Sequence, residues 1–180
     1  MIDLTWITDT LALGGSFSPA QTALLPQDHG VAAVVDLRGE ESDDAQLLAK
    51  YRVEFLHLPT IEFAPISPAM MRRGTSFVLD HLAAGRRVLV HCGRGIGRSA
   101  VLVLSVLVEL GRTPLDALVL TRQRRPCVAP STAQYEALAA WLAVRRAERG
   151  AVWPVPTVDQ LKAIAYRRRQ SPVIVAHRRR

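Results

Sequence analysis

The sequence predicts an α/β fold, a central and mostly parallel sheet flanked by helices. Three observations carry that expectation. Short β-branched apolar runs alternate with segments of helical pattern. The helical segments open on hydroxyl–proline pairs and close on glycine. Apolar residues make up 49% of the 180, enough for the core of one domain of common size.

Val31-Ala32-Ala33-Val34-Val35, Val53 to Leu58 and Val88-Leu89-Val90 read as buried strands. Ser18-Pro19, Ser67-Pro68 and Thr113-Pro114 each place a capping hydroxyl before a proline at the first helical position, where the missing N–H has no partner to lose. Gly30, Gly85 and Gly111 fall where helices should stop. Ser131 opens a further helix that runs to residue 149. Gly150 to Pro156 cannot continue it, because two prolines and a glycine intervene. The expected organisation is therefore a domain over residues 1–150 and a basic C-terminal extension over 151–180, with one short helix within Thr157 to Arg169.

The longest apolar run, Ala100 to Val108, is about half the roughly 18–20 residues a membrane-spanning helix needs. The N-terminus lacks the basic-then-apolar pattern of a secretory signal. Two cysteines make no disulfide scaffold, so a reducing, cytoplasmic setting is expected. Of the net charge of +7, residues 151–180 contribute +6, through Lys162, Arg167, Arg168, Arg169, Arg178, Arg179 and Arg180 against Asp159. The Arg-rich tail reads as a solvated end, as a contact for anionic lipid, or as a contact for nucleic acid or an acidic partner. Its apolar segment Pro172 to Ala176 suits packing on the domain or on another chain's edge.

Chemistry concentrates in Val88 to Ser99, VLVHCGRGIGRS. A buried strand runs into Cys92; Gly93, Gly95 and Gly97 follow on alternate positions, and Arg98 and Ser99 open an apolar helix. Alternating glycines permit positive φ, which turns successive N–H groups inward as an anion-binding nest. The helix N-terminus adds its partial positive charge at the same spot. A dianionic phosphate fits there, bound by Gly93, Arg94, Gly95, Ile96, Gly97 and the planar fork of Arg98. The same field holds Cys92 as thiolate, the nucleophilic form. Ser99 is placed to hydrogen-bond the sulfur as it leaves, and His91 to order the loop through its ring nitrogens. Arg94 points outward, either adding positive potential at the mouth or simply solvated. Cys127 reads as a core or turn thiol, or as a partner for Cys92 on oxidation. His57 and His81 have no clustered acid or cysteine at ligand spacing, so neither metal nor cofactor is expected.

The segment His91-Cys92-Gly93-Arg94-Gly95-Ile96-Gly97-Arg98-Ser99 resembles the His-Cys-x5-Arg-Ser/Thr signature of protein-tyrosine phosphatases, and the compact size is similar to the dual-specificity branch. The resemblance covers roughly residues 5–145, including Val35-Asp36-Leu37-Arg38 after a strand and Arg125-Pro126 before the last domain helix. A Walker-type loop fits poorly, since no lysine precedes Ser99. Low-molecular-weight phosphatases and arsenate reductases carry Cys-x5-Arg near the N-terminus, and rhodanese-like phosphatases lack the flanks seen here. The resemblance implies the cysteine-phosphatase fold and hydrolysis of phosphate monoesters through phosphocysteine at Cys92. The expected substrate is a phosphorylated protein. The alternative is a phosphoinositide, nucleotide or RNA 5′-phosphate, and a phosphate-binding module with little activity is a third reading.

In the resembled family an aspartate about thirty residues before the cysteine is the general acid and base. The corresponding loop, Leu58 to Ser67, has no aspartate; Glu62 takes its place and is one methylene longer. Asp36 is the runner-up for that role, but by the same resemblance it supports the loop region rather than the leaving group. Gln134 is matched to a water-positioning residue of larger relatives but is expected here on a helix surface. Pro130-Ser131 replaces the Pro-Asn common in the compact branch.

Overall fold

The computed structural model describes residues 1–166. Five strands, β1 (Leu4–Trp6), β2 (Leu11–Gly14), β3 (Val31–Arg38), β4 (Glu54–Thr60) and β5 (Arg87–His91), form one sheet in the order β1-β2-β5-β3-β4. β2, β5, β3 and β4 are parallel, and β1 pairs antiparallel to β2. The three strands read from the sequence are β3, β4 and β5. β1 and β2 escaped that reading because three and four residues are too short for a periodicity to show.

Helices α1 (Leu24–His29), α2 (Ala45–Lys50), α3 (Pro68–Ala83), α4 (Arg98–Glu109), α5 (Pro114–Arg124), α6 (Thr132–Arg149) and α7 (Val158–Ala165) complete the described chain. The hydroxyls of Ser67, Thr113, Ser131 and Thr157 each accept a first-turn N–H, as their positions require. Ser18-Pro19 opens only a single 3₁₀ turn, Pro19–Gln21, so this pair does not start the helix expected of it. α6 ends on Gly150 in the left-handed conformation at φ 61°.

The sheet is buried on both faces, as its continuous apolar strands require. Leu11, Leu13, Val35, Val88 and Val90 face the main core under α3, α4, α5 and α6. Ala12, Val34 and Leu89 face a second core with Leu25 of α1 and Leu48 of α2. α4 is buried along almost its whole length, Arg98 to Val108. The boundary at residue 150 marks a change of charge, while packing runs across it: Leu161 and Ala165 of α7 belong to the main core. The tail arginines Arg167 to Arg169 and Arg178 to Arg180, and Pro172 to Ala176, lie outside the described residues.

Candidate active site

β5 is the centre of the sheet, between β2 and β3, and the loop that follows it sits at the carboxyl end of the strands, where open α/β sheets gather their ligands. Every carbonyl from Gly93 to Gly97 is bonded away from the loop's centre. Ser16 N–H and Oγ–H meet Gly93 O at 3.1 and 3.3 Å. Arg125 donates to Arg94 O at 2.8 Å and to Gly95 O at 3.0 Å. Ala129 N–H meets Ile96 O at 3.0 Å, and Val101 N–H meets Gly97 O at 3.0 Å within α4. With the carbonyls committed outward, the amides of Arg94, Gly95 and Ser99 are aimed at the Cys92 sulfur.

Positive φ is confined to one of the three loop glycines. Gly95 has φ 65°, and a Cβ there would stand 2.5 Å from Gly14 O. Gly97 stays small for a different reason: Gln134 Oε1 lies 2.5 Å from where its Cβ would be.

Cys92 is 3% exposed, with Ser99 Oγ 3.2 Å from its Sγ. Burial alone pushes the thiol up, but hydrogen bonds from the Ser99 hydroxyl and from the Ser99, Arg94 and Gly95 amides outweigh it and hold the thiol below its ordinary value. Arg98 is buried. Its Nη1 and Nη2 meet Glu40 Oε2 and Oε1 at 2.6 and 2.8 Å, and Nη1 also donates to Thr60 O at 2.7 Å. This end-on pairing takes one Nη2 hydrogen and leaves the edge formed by Nε–H and the other Nη2–H without an acceptor among the described residues. That edge is the one a phosphate takes with two oxygens. Arg98 holds the Glu40 carboxyl down to about 2.

Behind the loop lies a buried ionic cluster. Asp36, fully buried, receives Arg38 through Nε and Nη2. His91 Nε2 meets Asp43 Oδ2 at 2.8 Å, and Asp43 also receives Arg38. His91 and Asp36 are thus joined to each other through Asp43 and Arg38. Asp36, Asp43 and His91 are close enough to surround a cation. The Arg38 guanidinium is already paired with both carboxylates and would repel a second cation beside it, so these residues fit a metal poorly.

Above the loop is an open cleft lined by Cys92, Arg94, Arg98, Glu62, Phe63 and Gln134. Glu62 is half-exposed and meets the outward-pointing Arg94 at 3.4 Å. Gln134 corrects the surface expectation. It is 2% exposed, and its Nε2 donates to Ala64 O at 3.2 Å. Ser131 Oγ donates to Phe63 O at 2.7 Å, so α6 anchors the Glu62 loop at two carbonyls. Cys127 is an exposed free thiol.

Glu40, Asp43 and Arg125 were not singled out for these contacts. Glu40 and Asp43 sit in the run Glu40-Glu41-Ser42-Asp43-Asp44, which has the pattern of a solvated acidic face. Arg125-Pro126 was legible as a motif, yet its bonds to the loop were not.

The family model described as dual specificity phosphatase, catalytic domain, matches residues 15–143. The chain belongs to this family. Human phosphatidylglycerophosphatase and protein-tyrosine phosphatase 1 is 30% identical over 120 residues, 62% of this chain, and the match spans only 59% of that relative's length. Among solved family structures, PTPMT1 in complex with PI(5)P superposes with a TM-score of 0.76 at 25% identity, covering 83% of this chain and 99% of that one. Tk-PTP in its active form gives 0.71 at 25% identity, over 77% and 95%.

Proposed function

We propose that this chain is a cysteine-dependent phosphatase that hydrolyses phosphate monoesters, with phosphotyrosine and other phosphorylated protein side chains as its main substrates. The observation that carries the reading is Cys92: an acidified thiol at the focus of inward amides, with the free edge of Arg98 beside it. In the first step the Cys92 thiolate forms an S–P bond while the bond from phosphorus to the ester oxygen breaks, and Glu62 delivers its proton to that oxygen. In the second, water attacks phosphorus and gives its proton to the Glu62 carboxylate. The S–P bond breaks, and Ser99 Oγ–H receives the returning thiolate. The loop amides and Arg98 hold the equatorial oxygens in both steps, where their prior orientation counts most.

A second reading is a phosphorylated lipid as substrate. It is favoured by two relatives, one named a phosphatidylglycerophosphatase and one solved with PI(5)P. Among the described residues no helix is long and apolar enough to cross a membrane. Anionic lipid or nucleic acid contact by the Arg-rich tail belongs to the same proposal and concerns residues outside the described chain; a cytoplasmic setting is a separate part of it.

The test is steady-state hydrolysis of an aryl phosphate, a phosphotyrosine peptide and an inositol-lipid phosphate by wild type and Cys92→Ser. Complete loss in the mutant is expected, and the ranking of substrates chooses between the readings. Wild type no faster than Cys92→Ser on every substrate would leave a phosphate-binding module.

A further inference from the structure

The outermost support of the phosphate loop comes from a residue ahead of the first strand. Arg125, the residue that caps the C-terminus of α5, is buried and spans the two loop carbonyls of Arg94 and Gly95. Its charge is matched by Asp3. Nη1 meets Asp3 Oδ1 and Nη2 meets Asp3 Oδ2, both at 2.7 Å, in a two-pronged pair. Among the described residues Asp3 is the one carboxylate on this guanidinium, with Thr5 Oγ1 at 3.1 Å as a further acceptor. Asp3 is itself located by the sheet edge: its carbonyl accepts Gly15 N–H at 3.0 Å, one residue before Ser16, which holds Gly93 O. The segment from Asp3 to Ser16 thus holds the loop directly at Gly93 through Ser16, and at Arg94 and Gly95 through the Asp3–Arg125 pair. A buried guanidinium that lost this carboxylate would keep its desolvation cost and would turn toward water or another acceptor. The carbonyls of Arg94 and Gly95 would then be free to rotate, and their peptide planes carry the amides of the next residues with them.

We propose that Asp3 is a positioning residue of this phosphatase: it fixes Arg125 on the outer carbonyls of the loop and thereby keeps the inner amides aimed at the sulfur and the phosphate. The inference rests on reading Cys92 as the nucleophile, but not on which phosphate ester is the substrate.

The experiment compares full-length wild type, Asp3→Asn and Asp3→Glu. The rate at which iodoacetamide alkylates Cys92 is followed against pH by mass spectrometry of the Cys92 peptide, so that exposed Cys127 does not contribute. Aryl phosphate kinetics and thermal unfolding are measured beside it. In Asp3→Asn the alkylation midpoint should move to higher pH. Its kcat/KM should fall roughly 10-fold, as a loosened catalytic geometry allows. Asp3→Glu should recover most of both. An Asp3→Asn enzyme with the wild-type alkylation profile and wild-type kcat/KM overturns the proposal. So does a loss of activity that merely tracks the unfolded fraction while folded molecules alkylate as wild type. Wild-type Cys92 reacting as an ordinary thiol would instead overturn the phosphocysteine reading and, with it, this one.

Discussion

Two loops meet at the cleft and are held in opposite ways. The phosphate loop has each carbonyl from Gly93 to Gly97 committed outward, with Arg98 locked between Glu40 and Thr60. The loop carrying Glu62 stands in solvent, with Ile61 76% and Phe63 65% exposed. It is anchored from α6 at the carbonyls of Phe63 and Ala64. Phe63 sits at φ 64°, a strained conformation for an aromatic residue that those anchors sustain. The contrast matches the two tasks that the proposed reaction sets. Stabilising phosphate charge needs dipoles that are already oriented, because reorganising them during reaction forfeits their effect. Donating a proton needs one carboxyl in reach of a leaving group that varies between substrates.

The sharpest way to break this comparison is Arg98→Lys. A lysine offers no planar edge to two phosphate oxygens, so kcat/KM for an aryl phosphate should drop by at least about 100-fold with folding intact. Next is Glu62→Gln, where turnover of an alkyl phosphate should fall on the order of 100-fold and of an aryl phosphate far less, because phenolate leaves with little help. Equal losses on both esters would mean that Glu62 acts on the loop rather than on the leaving group.

Glu40→Gln tests the rigid side by titration. In the folded protein its carboxyl is depressed from 4.5 to about 2, so its contribution to stability is complete above 4.5 and is lost as pH falls toward 2. Wild type should lose stability across that window, and Glu40→Gln should be less stable near neutrality yet lose less there, as followed by thermal unfolding. The effect is muted because Glu40 is half-exposed. Smallest is Arg94→Ala. Its pair with Glu62 is long and solvated, so stability should change by less than about 1 kcal/mol and kcat/KM by about twofold at most. A larger loss would show that the pair holds Glu62 in its working position.

By itself the sequence determined the local frame: strand β5 into Cys92, the glycine-bearing turn, the helix behind Arg98 and Ser99, and the capped starts of α3, α5 and α6. These depend on residues within a few positions of one another, so period, caps and glycines record them directly. The family resemblance singled out Glu62, and the structure has it lining the cleft beside Cys92. What only the tertiary structure decided is which distant side chains hold that frame. Glu40 reaches Arg98 across 58 residues, Asp43 reaches His91 across 48, and Arg125 reaches Gly95 across 30. An acidic run reads as solvated whether or not a buried arginine waits opposite it, and Gln134 on an amphipathic helix reads as surface until the Glu62 loop covers it. The pairing of buried charge is a property of the packed interior, where an unmatched guanidinium is costly, and no local pattern along the chain encodes which partner meets it.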